Sequence, residues 1–101
     1  LDSNFLSAKK YFKKSLSLNS NDYTSLYYLG VCDFENEDYI NAAKYFKRSI
    51  KIEPDHAPSH FQLAIIYDIL GKTREVKKQM NIIYMLDQAL HDDLKIKLGK
   101  N

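Results

Sequence analysis

Leu26 to Pro54 reads LYYLGVCDFENEDYINAAKYFKRSIKIEP, two amphipathic halves joined by a short polar break. The first half carries Leu26, Leu29 and Gly30 and the second Ala42, Phe46 and Ile50, the three-and-four spacing of a helix face. Pro54 closes the unit, because proline lacks the amide hydrogen and clashes with the preceding turn. The stretch matches the chain on both sides at a constant shift of 34 residues: Ala42 falls on Ala8 and Val76, Phe46 on Phe12 and Met80, Tyr39 on Phe5 and Thr73, Ile52 on Leu18 and Leu86. A period of this size marks a solenoid, in which units that cannot bury their own faces stack on one another.

The totals agree with a helical reading. The chain has 101 residues, the size of one small domain; 45% are hydrophobic and 28% charged, which suits a folded protein rather than a disordered one. Three glycines and two prolines are too few for a turn-rich sandwich. The net charge of +2 gives no whole-molecule field that argues for nucleic acid, and no apolar run is long enough to span a bilayer. No signal peptide is evident. Cys32 is the only cysteine, so no internal disulfide forms. This fits a reducing compartment and leans the location toward the cytoplasm without deciding it. The chain opens with Leu1, part-way through a copy of the period, so the expectation is a piece of a longer protein.

Six helices are expected. Asp2, Ser3 and Asn4 are N-cap types before a helix of about residues 5–18, with Phe5, Ala8, Phe12 and Leu16 inward and Lys9, Lys10, Lys13 and Lys14 on the opposite side. A polar break at residues 19–22 precedes a helix of about 23–35 that is apolar on two sides: Leu26, Leu29, Gly30 and Asp33 on one, Tyr27, Val31 and Phe34 on the other. After a short turn at residues 36–38, a helix of about 39–52 folds back, burying Ala42, Phe46, Ser49 and Ile50. Pro58 starts a helix that runs to about Leu70, and Gly71 caps it in the left-handed conformation. Residues 73–86 turn Val76, Met80 and Ile83 inward. A last helix of about 88–98, with Ala89, Leu90, Leu94 and Leu98, covers the open end of the stack.

These residues name a family. Leu26, Leu29 and Gly30, then Ala42, Phe46 and Pro54, resemble the tetratricopeptide repeat at the same period, and His60, Leu63, Ala64, Tyr67, Gly71, Val76 and Met80 repeat the pattern. Ala8, Phe12 and Leu16 give the second half of an earlier copy. The resemblance covers about residues 5–88 and implies an all-α helix-turn-helix solenoid, a right-handed superhelix. The single domain then divides into a half repeat (1–22), full repeats (23–56 and 57–88) and a capping helix (88–98). Asp33 stands where the family prefers an aromatic, Leu26 and His60 stand where it prefers Trp, and Ser20 and Gln88 replace the closing proline.

The resemblance also implies a function. In the family the first helix of each pair lines a concave groove that receives a peptide or a helix of a partner protein. The matching residues are Thr24, Tyr27, Tyr28, Val31 and Phe34, then Pro58, Phe61, Gln62, Ile65, Asp68 and Ile69, an apolar and aromatic lining. The chaperone-binding variant of the family grips a carboxylate with Lys, Asn and Arg. Here the corresponding places hold Thr24, Tyr28, Pro58 and Gln62, none of them cationic, so that clamp is absent from these two helices. Two alternatives stand beside a non-catalytic interaction module. One is a self-assembly or scaffold segment of a larger secretion, pilus or envelope assembly factor, with a homodimer formed through the open first end or the groove. The other is a regulatory domain of an enzyme outside this stretch.

The remaining polar features read as structural. Lys9, Lys10, Lys13, Lys14, Lys44, Lys47, Arg48, Lys51, Arg74, Lys77 and Lys78 fall on the second helices and are taken as a solvated face, not as a nucleic-acid site. His56 and His60 lack the further ligands that zinc needs. Asp33 faces the interior and needs a hydrogen-bond partner, for which the eight tyrosines are the expected source. No phosphate loop, nucleophile elbow or paired carboxylate appears, so no enzyme, cofactor or metal is expected.

Overall fold

The computed structural model describes residues 3–99, the side chain of Ser3 excepted. Six helices follow in order: α1 Ser3–Leu18, α2 Tyr23–Glu35, α3 Tyr39–Ile52, α4 Ala57–Ile69, α5 Thr73–Leu86 and α6 Gln88–Lys97, with no strand among the described residues. They fall into two compact units that part after Pro54.

In the first unit, α2 packs on both α1 and α3. Asp22 starts α2: its carboxylate accepts from the Ser25 amide at 3.1 Å and from the Ser25 hydroxyl at 2.7 Å. Asp38 starts α3 in the same way, accepting from the Asn41 amide and side chain. Each cap satisfies amides that the first turn leaves without carbonyl partners. Between the helices Glu37 adopts a left-handed φ of 61°, and the Asp38 amide donates back to the Asp33 carbonyl at 2.8 Å. Leu26, Leu29, Ala42 and Phe46 form the buried centre, and the Ser49 hydroxyl donates to the Tyr23 carbonyl at 3.0 Å.

The second unit repeats the scheme. Gly71 takes the left-handed position at φ 74°, and the Lys72 amide donates to the Tyr67 carbonyl at 2.8 Å. Leu63, Ala64, Ile66, Val76 and Ile83 are buried between α4 and α5. Asp87 caps α6 through the Leu90 amide, and α6 sets Leu94 fully buried against α4 and α5. Ala89, expected inward, is exposed.

Several bounds shift by a residue or two. α1 begins at Ser3, so Ser3 and Asn4 lie in its first turn rather than before it; Asp2 lies outside the described residues. Pro58 follows one helical residue, Ala57, and Leu70 and Leu98 cap α4 and α6 instead of continuing them.

Candidate functional site

The α2 residues expected to meet a partner form part of a continuous array of rings. Tyr11 meets Phe12 edge-on at 5.2 Å, and Phe12 stacks on Tyr28 at 5.1 Å with 16° between the planes. Tyr28 meets Tyr27 edge-on at 5.2 Å, and Tyr27 leans on Phe46 at 5.6 Å. The array runs from exposed Tyr11, through Tyr28 at 43% exposure, to Phe46 at 0%. Offset and edge-to-face contacts at these separations are favourable beyond the area they bury. An exposed tyrosine is thereby held rigid by rings rooted in the core.

Around it, Thr24 is exposed while Val31 and Phe34 are half-buried, Phe34 lying edge-on to Tyr39 at 5.5 Å. On α4, Pro58, Asp68 and Ile69 are exposed, and Phe61 and Gln62 are half-buried. Ile65 departs from its expected place: at 8% exposure it belongs to the buried set with Leu63, Ala64 and Ile66, so it is not open surface. The uninterrupted apolar run LAIIY at residues 63–67 gives no contrast from which to read which isoleucine faces out.

Asp33 is buried, as its register requires, but its partner is not a tyrosine. The Lys9 ammonium donates to Asp33 Oδ1 at 2.7 Å across α1 and α2. Lys9 therefore leaves the solvated face expected of it. That hydrogen bond is the main cause holding the Lys9 ammonium above its ordinary value, against the lowering effect of burial. Helical spacing separates Lys9 from Lys10, since Lys9 lies four residues after Phe5 and three before Phe12 at the edge of the inward stripe, and a carboxylate at a core position demands a cation nearby.

The histidines are engaged locally. His56 Nδ1 lies 2.7 Å from the Ser59 hydroxyl, and buried His60 has Nδ1 2.6 Å from Gln79 Oε1. Among the described residues no three metal-ligating side chains converge, and no helix is long and apolar enough to cross a membrane. The buried Cys32 thiol is pushed up chiefly by burial, which keeps it protonated and unreactive.

Comparison with known proteins gives two matches, both to models of the tetratricopeptide repeat. One covers residues 23–56, the α2–α3 pair, and the other residues 45–78, framed from within α3 to within α5. None of the curated proteins matches the chain. Tetratricopeptide repeats generally act as protein-interaction modules. With the helix pairs α2–α3 and α4–α5 repeating at a 34-residue period and matches that together span more than half of its length, the chain belongs to the tetratricopeptide-repeat family.

Proposed function

We propose that the chain binds a peptide or helix of a partner protein through the first helix of each repeat. In the first unit the contact residues are Thr24, Tyr27, Tyr28, Val31 and Phe34. In the second they are Pro58, Phe61, Gln62, Asp68 and Ile69, with Ile65 shaping the surface from beneath. The observation that carries this reading is the ring array that ties partly exposed Tyr28 to the buried Phe46. Rigid, partly exposed aromatics lose little conformational freedom on binding and dominate interface energetics. No step of catalysis is assigned to these residues.

The test is affinity capture with the wild-type chain and with a Tyr27→Ala/Phe61→Ala variant, the captured proteins being compared. The reading expects a specific partner to be lost from the variant, and amides of α2 to gain exchange protection in the reconstituted complex. An unchanged set of captured proteins, or protection confined to α3 and α5, would overturn it.

A further inference from the structure

The first unit also contains a cleft of about 310 Å³ that the aromatic face does not use. α1 contributes Lys9 and Lys13, α2 contributes Asp33, and α3 contributes Lys44, Tyr45 and Arg48. Asp33 is its floor, with a side chain 2% exposed. Its Oδ1 takes the Lys9 ammonium; its Oδ2 is buried and has no hydrogen-bond partner among the described residues. A buried carboxylate oxygen in that state calls for a donor. Lys13, Lys44 and Arg48 are exposed at the mouth and meet no carboxylate among the described residues. The Arg48 guanidinium rests over the Tyr45 ring, 5.8 Å from its centroid, which orients the cation and occupies that ring face.

The cleft is not a by-product of the repeat. At the 34-residue shift, Asp33 corresponds to Tyr67, an aromatic that is itself buried, and Lys9 corresponds to Ala43. Arg48 corresponds to Ile82, whereas Lys13 and Lys44 correspond to Lys47 and Lys78 and keep their charge. The ion pair and Arg48 are therefore particular to this copy, where a carboxylate stands in place of an aromatic ring and leaves space unfilled.

We propose that this cleft binds an acidic peptide segment. A shift of the Lys9 side chain opens Asp33 Oδ2 to a peptide N–H, while carboxylates of the same segment pair with Lys13, Lys44 and Arg48. Acidic residues carry both groups a few ångströms apart; inorganic phosphate keeps an O–H donor but concentrates its charge on one centre, which cannot span the three cations at the mouth and which Asp33 repels from the floor. Single-stranded nucleic acid binds by stacking bases on free rings, and the ring here is already covered. The residues differ from those of the aromatic face, so the two proposals stand or fail separately.

The test uses the isotope-labelled full chain titrated by NMR with a blocked hexaglutamate peptide. Inorganic phosphate, free glutamate and an oligouridylate serve as separate arms. Saturable shifts at Lys9, Asp33, Lys44 and Arg48 are expected with the peptide, and at least about tenfold weaker binding in the other arms, the surplus of one added contact. Lys44→Gln/Arg48→Gln, two exposed changes, should weaken the peptide about tenfold. Lys9→Ala/Asp33→Tyr installs the residue types of Ala43 and Tyr67, so it should stay folded and bind nothing. No saturable peptide binding, binding indifferent to Lys44→Gln/Arg48→Gln, or equal binding of phosphate, glutamate or oligouridylate would each overturn the proposal.

Discussion

A Cβ on Gly30 would lie 2.7 Å from Cε1 of the Phe46 ring and under 3.0 Å from its Cζ and Cδ1, so these two residues set how closely α2 and α3 approach. The ring is fully buried and has nowhere to retreat. Gly30→Ala gains about 0.8–1.0 kcal/mol in helix propensity. It loses about 1–3 kcal/mol to overpacking. A net destabilisation of about 1 kcal/mol is expected in urea unfolding, shrinking when Phe46→Leu is added because the ring is gone. A stabilised Gly30→Ala would mean that the interface has room to spare.

Removing the ring tests the same interface from the other side. Phe46 is the largest fully buried side chain and anchors Tyr27. Phe46→Ala should cost about 3–5 kcal/mol, the range for truncating a buried aromatic. Fluorescence or circular dichroism during urea unfolding would measure it. A loss below about 1 kcal/mol would contradict the packing described.

Most of this fold is legible in the sequence because the period places small, large and capping residues at fixed offsets. Gly30, Phe46 and Gly71 each occupy the place that the pattern assigns, and the helix bounds move by no more than two residues. What stayed hidden has a common cause. Lys9 lies at helical spacing from Phe5 and Phe12, but a long cationic side chain reads as solvated, and its stem can serve either the solvent face or the core edge. Ile65 lies within the unbroken apolar run of residues 63–67, where the pattern has no contrast to read. The cleft over Asp33 depends on space left by a missing ring, a three-dimensional quantity. Only the departure at Asp33 pointed to it.

Acid should reveal the cap at the start of α2. The Ser25 hydroxyl and amide both donate to Asp22 and hold its carboxyl below the usual carboxylate range. A group depressed in the folded state contributes stability that is fully present above its unfolded value of 3.8 and is lost as pH falls through the folded value. Asp22→Ala should therefore cost about 1 kcal/mol at neutral pH. The difference from wild type should narrow as pH drops below 3.8, the other carboxylates titrating alike in both proteins. A penalty of the same size under strongly acid and neutral conditions would show that the charged form of Asp22 plays no part.

The two turns offer the cleanest comparison within the molecule. Glu37 at φ 61° and Gly71 at φ 74° occupy the same place in successive copies. Their neighbours close the turn identically, Asp38 onto Asp33 and Lys72 onto Tyr67, each at 2.8 Å. Only Glu37 bears a Cβ in the left-handed region, which costs about 1–2 kcal/mol. Its side chain is exposed and makes no ion pair among the described residues that would offset this. Glu37→Gly removes the strain and gives back about 0.4–1 kcal/mol through the freer unfolded chain. The expected net gain is about 0.5–1 kcal/mol, a rise of a few degrees in Tm for a chain this size. Gly71→Ala should move Tm the other way, although its Cβ would meet nothing within 4 Å, because the strain lies in the backbone rather than in a clash. Paired thermal melts of the two variants decide it: a Glu37→Gly chain no more stable than wild type would mean that the left-handed residue carries no cost in this turn.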